Sequence, residues 1–264
     1  MLKISQVRKV FNAGTVNEKV ALQQIDLHLA PGDFATVIGS NGAGKSTLMN
    51  VISGGIIPDQ GSVVIDGKDV TKLGEHQRAS LIGRVFQDPT AGTAPHMTIE
   101  ENLAIAYARG QRRTFSLGVN RRKREIFREQ LRLLDQGLED RLKTKVGFLS
   151  GGQRQALSLL MATFTRPKIL LLDEHTAALD PKRAQLIVEL TRKIVEQHQL
   201  TTLMVTHNME QALTMGNRLL MLHEGRIILD IPQEKKQQMT TQDLLRAFEE
   251  ARGEAFAEDR FILA

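Results

Sequence analysis

Gly39-Ser40-Asn41-Gly42-Ala43-Gly44-Lys45-Ser46-Thr47 is the stretch on which the reading of this chain turns. It follows an apolar run, Phe34-Ala35-Thr36-Val37-Ile38, that reads as a buried strand. It precedes Leu48-Met49-Asn50-Val51-Ile52, which reads as the first turns of a helix. Strand, glycine-rich turn, helix is the setting of a phosphate-binding loop. The glycines let backbone N–H groups converge on an anion with no Cβ in the way. The helix N-terminus adds a partial positive charge and unsatisfied donors. Lys45 can reach the β- and γ-phosphates of a nucleotide, and the Ser46 hydroxyl can ligate Mg²⁺. A chance glycine-rich turn before a helix is the competing reading; the constrained positions of the motif and its agreeing flanks weigh against it.

The rest of the composition narrows what surrounds that loop. At 264 residues the chain can form one large α/β domain, or one domain with a small subdomain. Apolar content of 41% and charged content of 25% are those of a globular protein. No apolar run approaches the roughly 18 residues of a membrane span, and the N-terminus Met1-Leu2-Lys3-Ile4-Ser5 leads into an alternating strand pattern with no signal-peptide core. There are no cysteines, hence no disulfide and no thiolate metal site, which fits a cytosolic protein. The net charge of +5 permits acidic lipid or nucleic acid as partner and selects neither. Trp is absent and Tyr107 is the only tyrosine, which argues against an aromatic platform for stacking bases.

Ahead of the loop, residues 1–35 read as a small antiparallel β region. Leu2-Lys3-Ile4-Ser5-Gln6-Val7 alternates, and Leu22 to Leu29 alternates over most of its length. Phe11 closes the first stretch; it can stack on an adenine ring or belong to the core. After the loop, Ser62 to Lys68 reads as a strand with its own Asp66-Gly67 turn, residues 71–81 as a short helix, and Ile82 to Gln87 as a strand stopped by Asp88-Pro89. Thr98-Ile99-Glu100-Glu101 is a capping-box pattern that opens a helix through Tyr107. Arg109, Arg112, Arg113, Arg121, Arg122, Lys123, Arg124 and Arg128 make a basic segment. It reads as a solvated loop and helix start, or as a contact for anionic lipid or an acidic partner loop. Residues 121–137 continue as an amphipathic helix carrying Ile126, Phe127, Leu131 and Leu134.

Leu149-Ser150-Gly151-Gly152-Gln153 is a second small-residue turn before a helix; it is a second anion site or an N-cap serine followed by two glycines. Lys168 to Glu174 is a strand ending in two carboxylates, at the strand end where parallel sheets bind ligands. Asp173 suits a role at Mg²⁺, and Glu174 suits a base for a water attacking the γ-phosphate. A helix runs from about Pro181 to Gln197, and Leu203 to His207 is a further strand. A lone His at a strand end is more often structural than catalytic, but this one belongs to the same sheet edge as Glu174. Residues 209–215 read as a helix, Arg218 to Leu229 as a hairpin turning at Glu224-Gly225, and about 240–252 as a last helix.

A phosphate-binding loop, a Gln after a strand, Leu-Ser-Gly-Gly-Gln, Asp-Glu after a strand, Leu-Asp and a His follow one another in this order. In that combination the chain closely resembles an ABC-type ATPase, the nucleotide-binding subunit of an ABC transporter, from about residue 2 to 230. The resemblance implies an α/β P-loop fold with a mostly parallel central sheet, an N-terminal antiparallel region and a helical subdomain near 88–165. It implies an ATPase domain over 1–235 and a C-terminal helical tail over 236–264. ATP and Mg²⁺ are the implied ligands. Phe11 matches the adenine-stacking aromatic, and Gly39, Asn41, Gly42, Ala43, Gly44, Lys45, Ser46 and Thr47 match the Walker A loop. Gln87 matches the residue that meets Mg²⁺ and the attacking water and couples to the membrane partner. Ser150, Gly151, Gly152 and Gln153 match the signature that binds the γ-phosphate held by an opposite subunit. Asp173 and Glu174 complete Walker B with Glu174 as general base, Asp180 matches the D-loop, and His207 the switch histidine at the γ-phosphate.

The same resemblance implies a head-to-tail dimer, a homodimer or a pair with a similar subunit. It further implies a separate membrane permease at the cytoplasmic face of a bacterial inner membrane, an extracytoplasmic substrate-binding protein, and no nucleic acid. His175 stands where the family most often has Pro, and Ala178 where Ser is common. Asp173 to Pro181 looks like a subgroup of bacterial importer ATPases, some linked to aromatic amino acids. An exporter or lipid extractor could run on the same engine, and a soluble ABC ATPase acting on nucleic acid or ribosomes is the reading from another class. Such soluble proteins usually carry two cassettes, coiled coils or zinc motifs, and none is present in this sequence.

Overall fold

The order of strands and helices follows directly from where apolar alternation gives way to glycine and capping residues. The computed structural model describes residues 1–111 and 118–252. They fall into two compact units, one formed by 1–78 with the chain from Leu200 onward, the other by 79–199. Arg112 and Arg113 of the basic segment lie outside the described residues.

The first unit begins with β1 (Leu2–Phe11), β2 (Lys19–Leu29), β3 (Phe34–Ile38), α1 (Lys45–Ser53), β4 (Gln60–Ile65), β5 (Lys68–Asp69) and α2 (Glu75–Arg78). β1 lies between β2 and β4, antiparallel to both, and β5 turns back on β4 through Asp66-Gly67. β1 and β2 fall in the antiparallel region expected over 1–35, and β4 and β5 extend it from beyond the glycine loop. α2 is shorter than the helix expected over 71–81 and ends on Arg78, whose side chain reaches back to α1. Its guanidinium is fully buried and donates to the Val51 and Ile52 carbonyls (2.8 and 2.7 Å) at the end of α1. Cations at a helix C-terminus satisfy its orphan carbonyls and its dipole.

The second unit carries β6 (Ile82–Val85), α3 (Ile99–Tyr107), α4 (Arg121–Arg132), a 3-10 turn at Val146–Phe148, α5 (Gly151–Thr163), β7 (Ile169–Asp173) and α6 (Pro181–His198). β6 and β7 pair in parallel, Val85 opposite Leu172. Thr98 caps α3 in a full capping box with Glu101. α4 ends at Arg132, earlier than the expected 137, yet Phe127, Leu131 and Leu134 are buried as expected. Tyr107, Phe127 and Phe164 meet edge to face with centroids 5.7–6.1 Å apart, an arrangement the ring quadrupoles favour. α5 is buried from Gln155 through Thr163 on every side, the mark of a helix inside a core.

The chain then returns to the first unit with β8 (Thr201–Val205), α7 (Met209–Thr214), β9 (Arg218–His223), β10 (Arg226–Pro232), α8 (Gln233–Lys236) and α9 (Thr241–Arg252). β3 pairs in parallel with β8 and β9, and β10 runs antiparallel to β9. Each of Phe34 to Ile38 is buried, as a central parallel strand requires. Leu244 and Phe248 of α9 are fully buried in a cluster with Ile38, Met209, Leu219 and Met221. The fold is α/β, with a mostly parallel mixed sheet and a separate antiparallel sheet.

Candidate functional site

Gly39 follows β3 with φ +153°, and a Cβ there would meet the Leu222 carbonyl oxygen at 2.1 Å. Gly44, the residue before α1, has φ +104° and would bring a Cβ to 2.5 Å from the Ala21 carbonyl oxygen. Only glycine meets both demands, so the loop's sequence and its path are one requirement. The Gly225 N–H donates to Ala43 O (2.9 Å), and the Gln23 N–H donates to Gly225 O (2.7 Å), bracing the loop against the β9–β10 turn and β2. No side chain caps α1. Lys45 is buried, and its ammonium donates to Gly39 O (2.6 Å) and Ser40 O (3.0 Å). An uncapped helix N-terminus, a glycine cradle and a buried ammonium form a donor set that fits a polyphosphate.

His207 lies two residues beyond β8, and Gly39 one residue beyond β3. Val37 pairs with Val205, so both residues leave the sheet at the same end. Asn208 then caps α7 through its Oδ1 (2.9 Å to the Gln211 N–H). Phe11 is half-buried at the end of β1 with the Lys9 ammonium 5.8 Å from its ring centroid.

In the second unit, Gln87 is exposed and follows β6. Ser150 is the N-cap of α5, its Oγ accepting from the Gln153 N–H (3.3 Å) while Gln153 Oε1 accepts from the Ser150 N–H (3.2 Å). The capping reading of this turn therefore describes its local structure. Asp180 caps α6 through its Oδ1 (3.1 Å to the Arg183 N–H), with Pro181 at the first helical position. A Cβ on Gly152 would meet Arg183 Cδ at 3.2 Å and one on Gly151 would meet Leu179 Cδ2 at 3.5 Å, so the start of α5 lies against the turn that carries Asp180. Asp173 ends β7, its Oδ2 3.1 Å from Arg84 Nη2. Arg84 in turn covers the Phe86 ring at 4.7 Å. Glu174 is half-buried and has φ +46°, a left-handed conformation rare for a residue with a Cβ.

Two residues without a role in the motif reading sit among these. Gln155 is fully buried, and its Nε2 donates to His175 O (2.7 Å) and Phe86 O (3.2 Å). His175 is 2% exposed, with Nε2 3.0 Å from Thr191 Oγ1. Burial lowers its pKa to about 4, so the ring is neutral at physiological pH. A glutamine among buried apolar neighbours was the sequence signal for the first, and the departure from Pro was the signal for the second.

The ABC transporter family model matches residues 22–177. A tyrosine transport ATP-binding protein of Clostridioides difficile (strain R20291) is 43% identical over 251 residues, which cover 95% of this chain and 100% of that protein. This chain belongs to the ABC transporter ATP-binding family. The cassette is 35% identical over 232 residues to a methionine import ATP-binding protein of Vibrio vulnificus (strain YJ016), covering 86% of this chain and 64% of that protein. It is 34% identical over 230 residues to a glycine betaine/carnitine/choline transport ATP-binding protein of Bacillus subtilis (strain 168), spanning 57% of its length. Among solved structures, the dimeric post-hydrolysis state of an ATP-binding cassette bound to ADP and Pi is 30% identical with a TM-score of 0.76. That match covers 88% of this chain and 99% of the other. The cassette is thus an ATP-binding ATPase of this family. Among the described residues no helix is long and apolar enough to cross a membrane.

Proposed function

We propose that the cassette hydrolyses ATP to drive solute import through a separate membrane permease, and that the solute is an amino acid. The observation that carries this reading is the 43% identity with the tyrosine transport ATP-binding protein along that protein's whole length. Fold alone would not select a transport direction.

In this reading Gly39 to Thr47 holds the triphosphate, with Lys45 at the β- and γ-phosphates and Phe11 against the base. Ser150 to Gln153 of a second copy closes on the γ-phosphate, and Asp180 joins that interface. Glu174 takes the proton of the attacking water, and Gln87 and His207 orient the water and γ-phosphate. Ser46, Gln87 and Asp173 supply an hydroxyl, an amide oxygen and a carboxylate. This hard-oxygen set fits Mg²⁺, which keeps waters in its shell. When bound, Mg²⁺ neutralises charge on the phosphate oxygens. ATP binding closes the pair of cassettes and hydrolysis reopens it, so the permease alternates its access. An extracytoplasmic binding protein delivers the solute, and the cassette works at the cytoplasmic face of the membrane.

Two measurements test this. Glu174→Gln is expected to bind ATP while losing on the order of a hundredfold or more in hydrolysis; near wild-type turnover would reject Glu174 as the base. Captured with ATP from native membranes, the same variant should bring down a multi-span permease and a binding protein identified by mass spectrometry. A permease alone would favour export or lipid extraction over import. Ribosomal or DNA-bound proteins in place of a permease would reject transport.

A further inference from the structure

Glu174 adopts a left-handed backbone conformation that is strained for a residue with a Cβ, so its surroundings must enforce it. Hydrogen bonds at Glu174 and at the residue that follows hold this turn. The Ala177 N–H donates to Glu174 O (3.0 Å) and closes the turn. The His175 carbonyl accepts from Gln155 (2.7 Å), and the His175 ring bonds Thr191 (3.0 Å). The Thr191 hydroxyl has one hydrogen, and assigning it to the shorter contact, the Ile187 carbonyl (2.7 Å) inside α6, makes Thr191 Oγ1 the acceptor from His175 Nε2.

Gln155 reaches further. Its amide group gives one hydrogen to the carbonyl just after Glu174 and the other to the carbonyl of Phe86, just before Gln87. The orientation of the amide follows from these two acceptors, since the flipped form would set oxygen against oxygen. The Oε1 is buried with no hydrogen-bond partner among the described residues. An orphaned acceptor is a standing destabilisation, set here against the two carbonyls that the same amide satisfies. Such groups persist where they hold something else in place.

We infer that Gln155 and His175 are positioning residues: together they clamp the turn bearing Glu174 to α5 and α6, and Gln155 ties the strand end bearing Gln87 to the same helix. The helix that starts at Ser150 thereby carries both loops, so a shift of its N-terminal end is felt at Glu174 and Gln87 together. This inference rests on the assignment of Glu174 as the base.

The test is steady-state ATP hydrolysis by the full chain carrying substitutions at the far end of the clamp. Thr191→Val swaps the accepting hydroxyl for a methyl of similar shape; Thr191→Ser keeps the acceptor. His175→Leu removes the donor, and His175→Gln restores an N–H near the Nε2 position. Thr191→Val and His175→Leu are expected to lower kcat roughly tenfold with KM for ATP nearly unchanged, the signature of misplaced chemistry. Thr191→Ser and His175→Gln should regain most of the wild-type kcat. In a Glu174→Gln background the Thr191→Val change should have no further effect. Wild-type kcat in both Thr191→Val and His175→Leu, or a loss confined to KM, overturns the clamp. So does a Thr191→Val loss that multiplies with that of Glu174→Gln, and that outcome leaves the base assignment standing. Near wild-type turnover in Glu174→Gln alone instead removes the base, and the clamp's route to catalysis with it.

Discussion

Lys236 is 2% exposed, and its ammonium donates to the Met215 carbonyl, to Gly216 O (3.3 Å) and to Thr36 Oγ1 (3.4 Å). All of these acceptors are neutral, so burial dominates and lowers the pKa to about 8 from the 10.5 of a free lysine. The sign of the consequence follows. Below pH 8 both folded and unfolded chains hold the proton. Between about 8 and 10.5 the unfolded chain binds a proton that the folded chain has released, so stability rises with pH across that window. Relative to Lys236→Met, the wild type should gain up to about 3 kcal/mol between pH 8 and 10.5, read from urea unfolding at each pH. An unchanged difference across the window would mean that the ammonium is hydrated. The same residue shows what sequence reading could not reach. Gln233-Glu234-Lys235-Lys236 has no apolar periodicity, so α8 gave no signal, and its one buried residue is the lysine. The bonds of His175 and Gln155 were hidden for a related reason: their partners lie 16 to 69 residues away, so the sequence marks the two residues but not what they hold.

At the scale of elements, what was legible was whatever a strand–turn–helix punctuation dictates locally. β3, the glycine loop and α1 stand as Phe34 to Ile52 implied, and Thr98 and Ser150 both open helices with capping boxes. Boundaries were less legible: α2 covers only Glu75–Arg78 of the expected 71–81, and the side chain of its last residue is committed to the end of α1. The C-terminal segment is the clearest case. Its sequence gives an amphipathic helix and nothing about where that helix packs. In the fold, Phe248 is fully buried against the sheet side that includes Ile38 and meets the His223 ring edge to face at 5.8 Å. Ile38 is the last residue of the strand that delivers the phosphate loop, so α9 supports that strand. Phe248→Ala should therefore destabilise the chain by about 3–5 kcal/mol, measured by denaturant unfolding, as cavities left by a buried aromatic do. A loss under about 1 kcal/mol would mean that α9 rests on the domain without contributing to its core.

At the scale of the whole molecule, the chain holds one phosphate loop at Gly39–Thr47 and one Ser150–Gln153 turn, while a solved relative with the same fold is a dimer bound to ADP and Pi. If two copies pair head to tail, each ATP site takes its loop from one copy and its turn from the other. Closed two-fold pairing of identical chains makes the two sites equivalent. Lys45→Ala then removes the loop from both sites of its homodimer, and Ser150→Arg fills the turn of both sites with a bulky cation. Each variant alone should be inactive. A mixed dimer differs: the intact loop of the Ser150→Arg chain faces the intact turn of the Lys45→Ala chain, and the other site carries both lesions. Random pairing of an equal mixture places half the dimers in this mixed class with one good site each, so independent sites return about a quarter of wild-type hydrolysis. Sites that fire only as a pair return none, although the mixture should still form ATP-dependent dimers by light scattering, because one intact interface remains. Hydrolysis by either variant alone at the wild-type rate would place loop and turn in the same copy, and the head-to-tail arrangement would have to be abandoned.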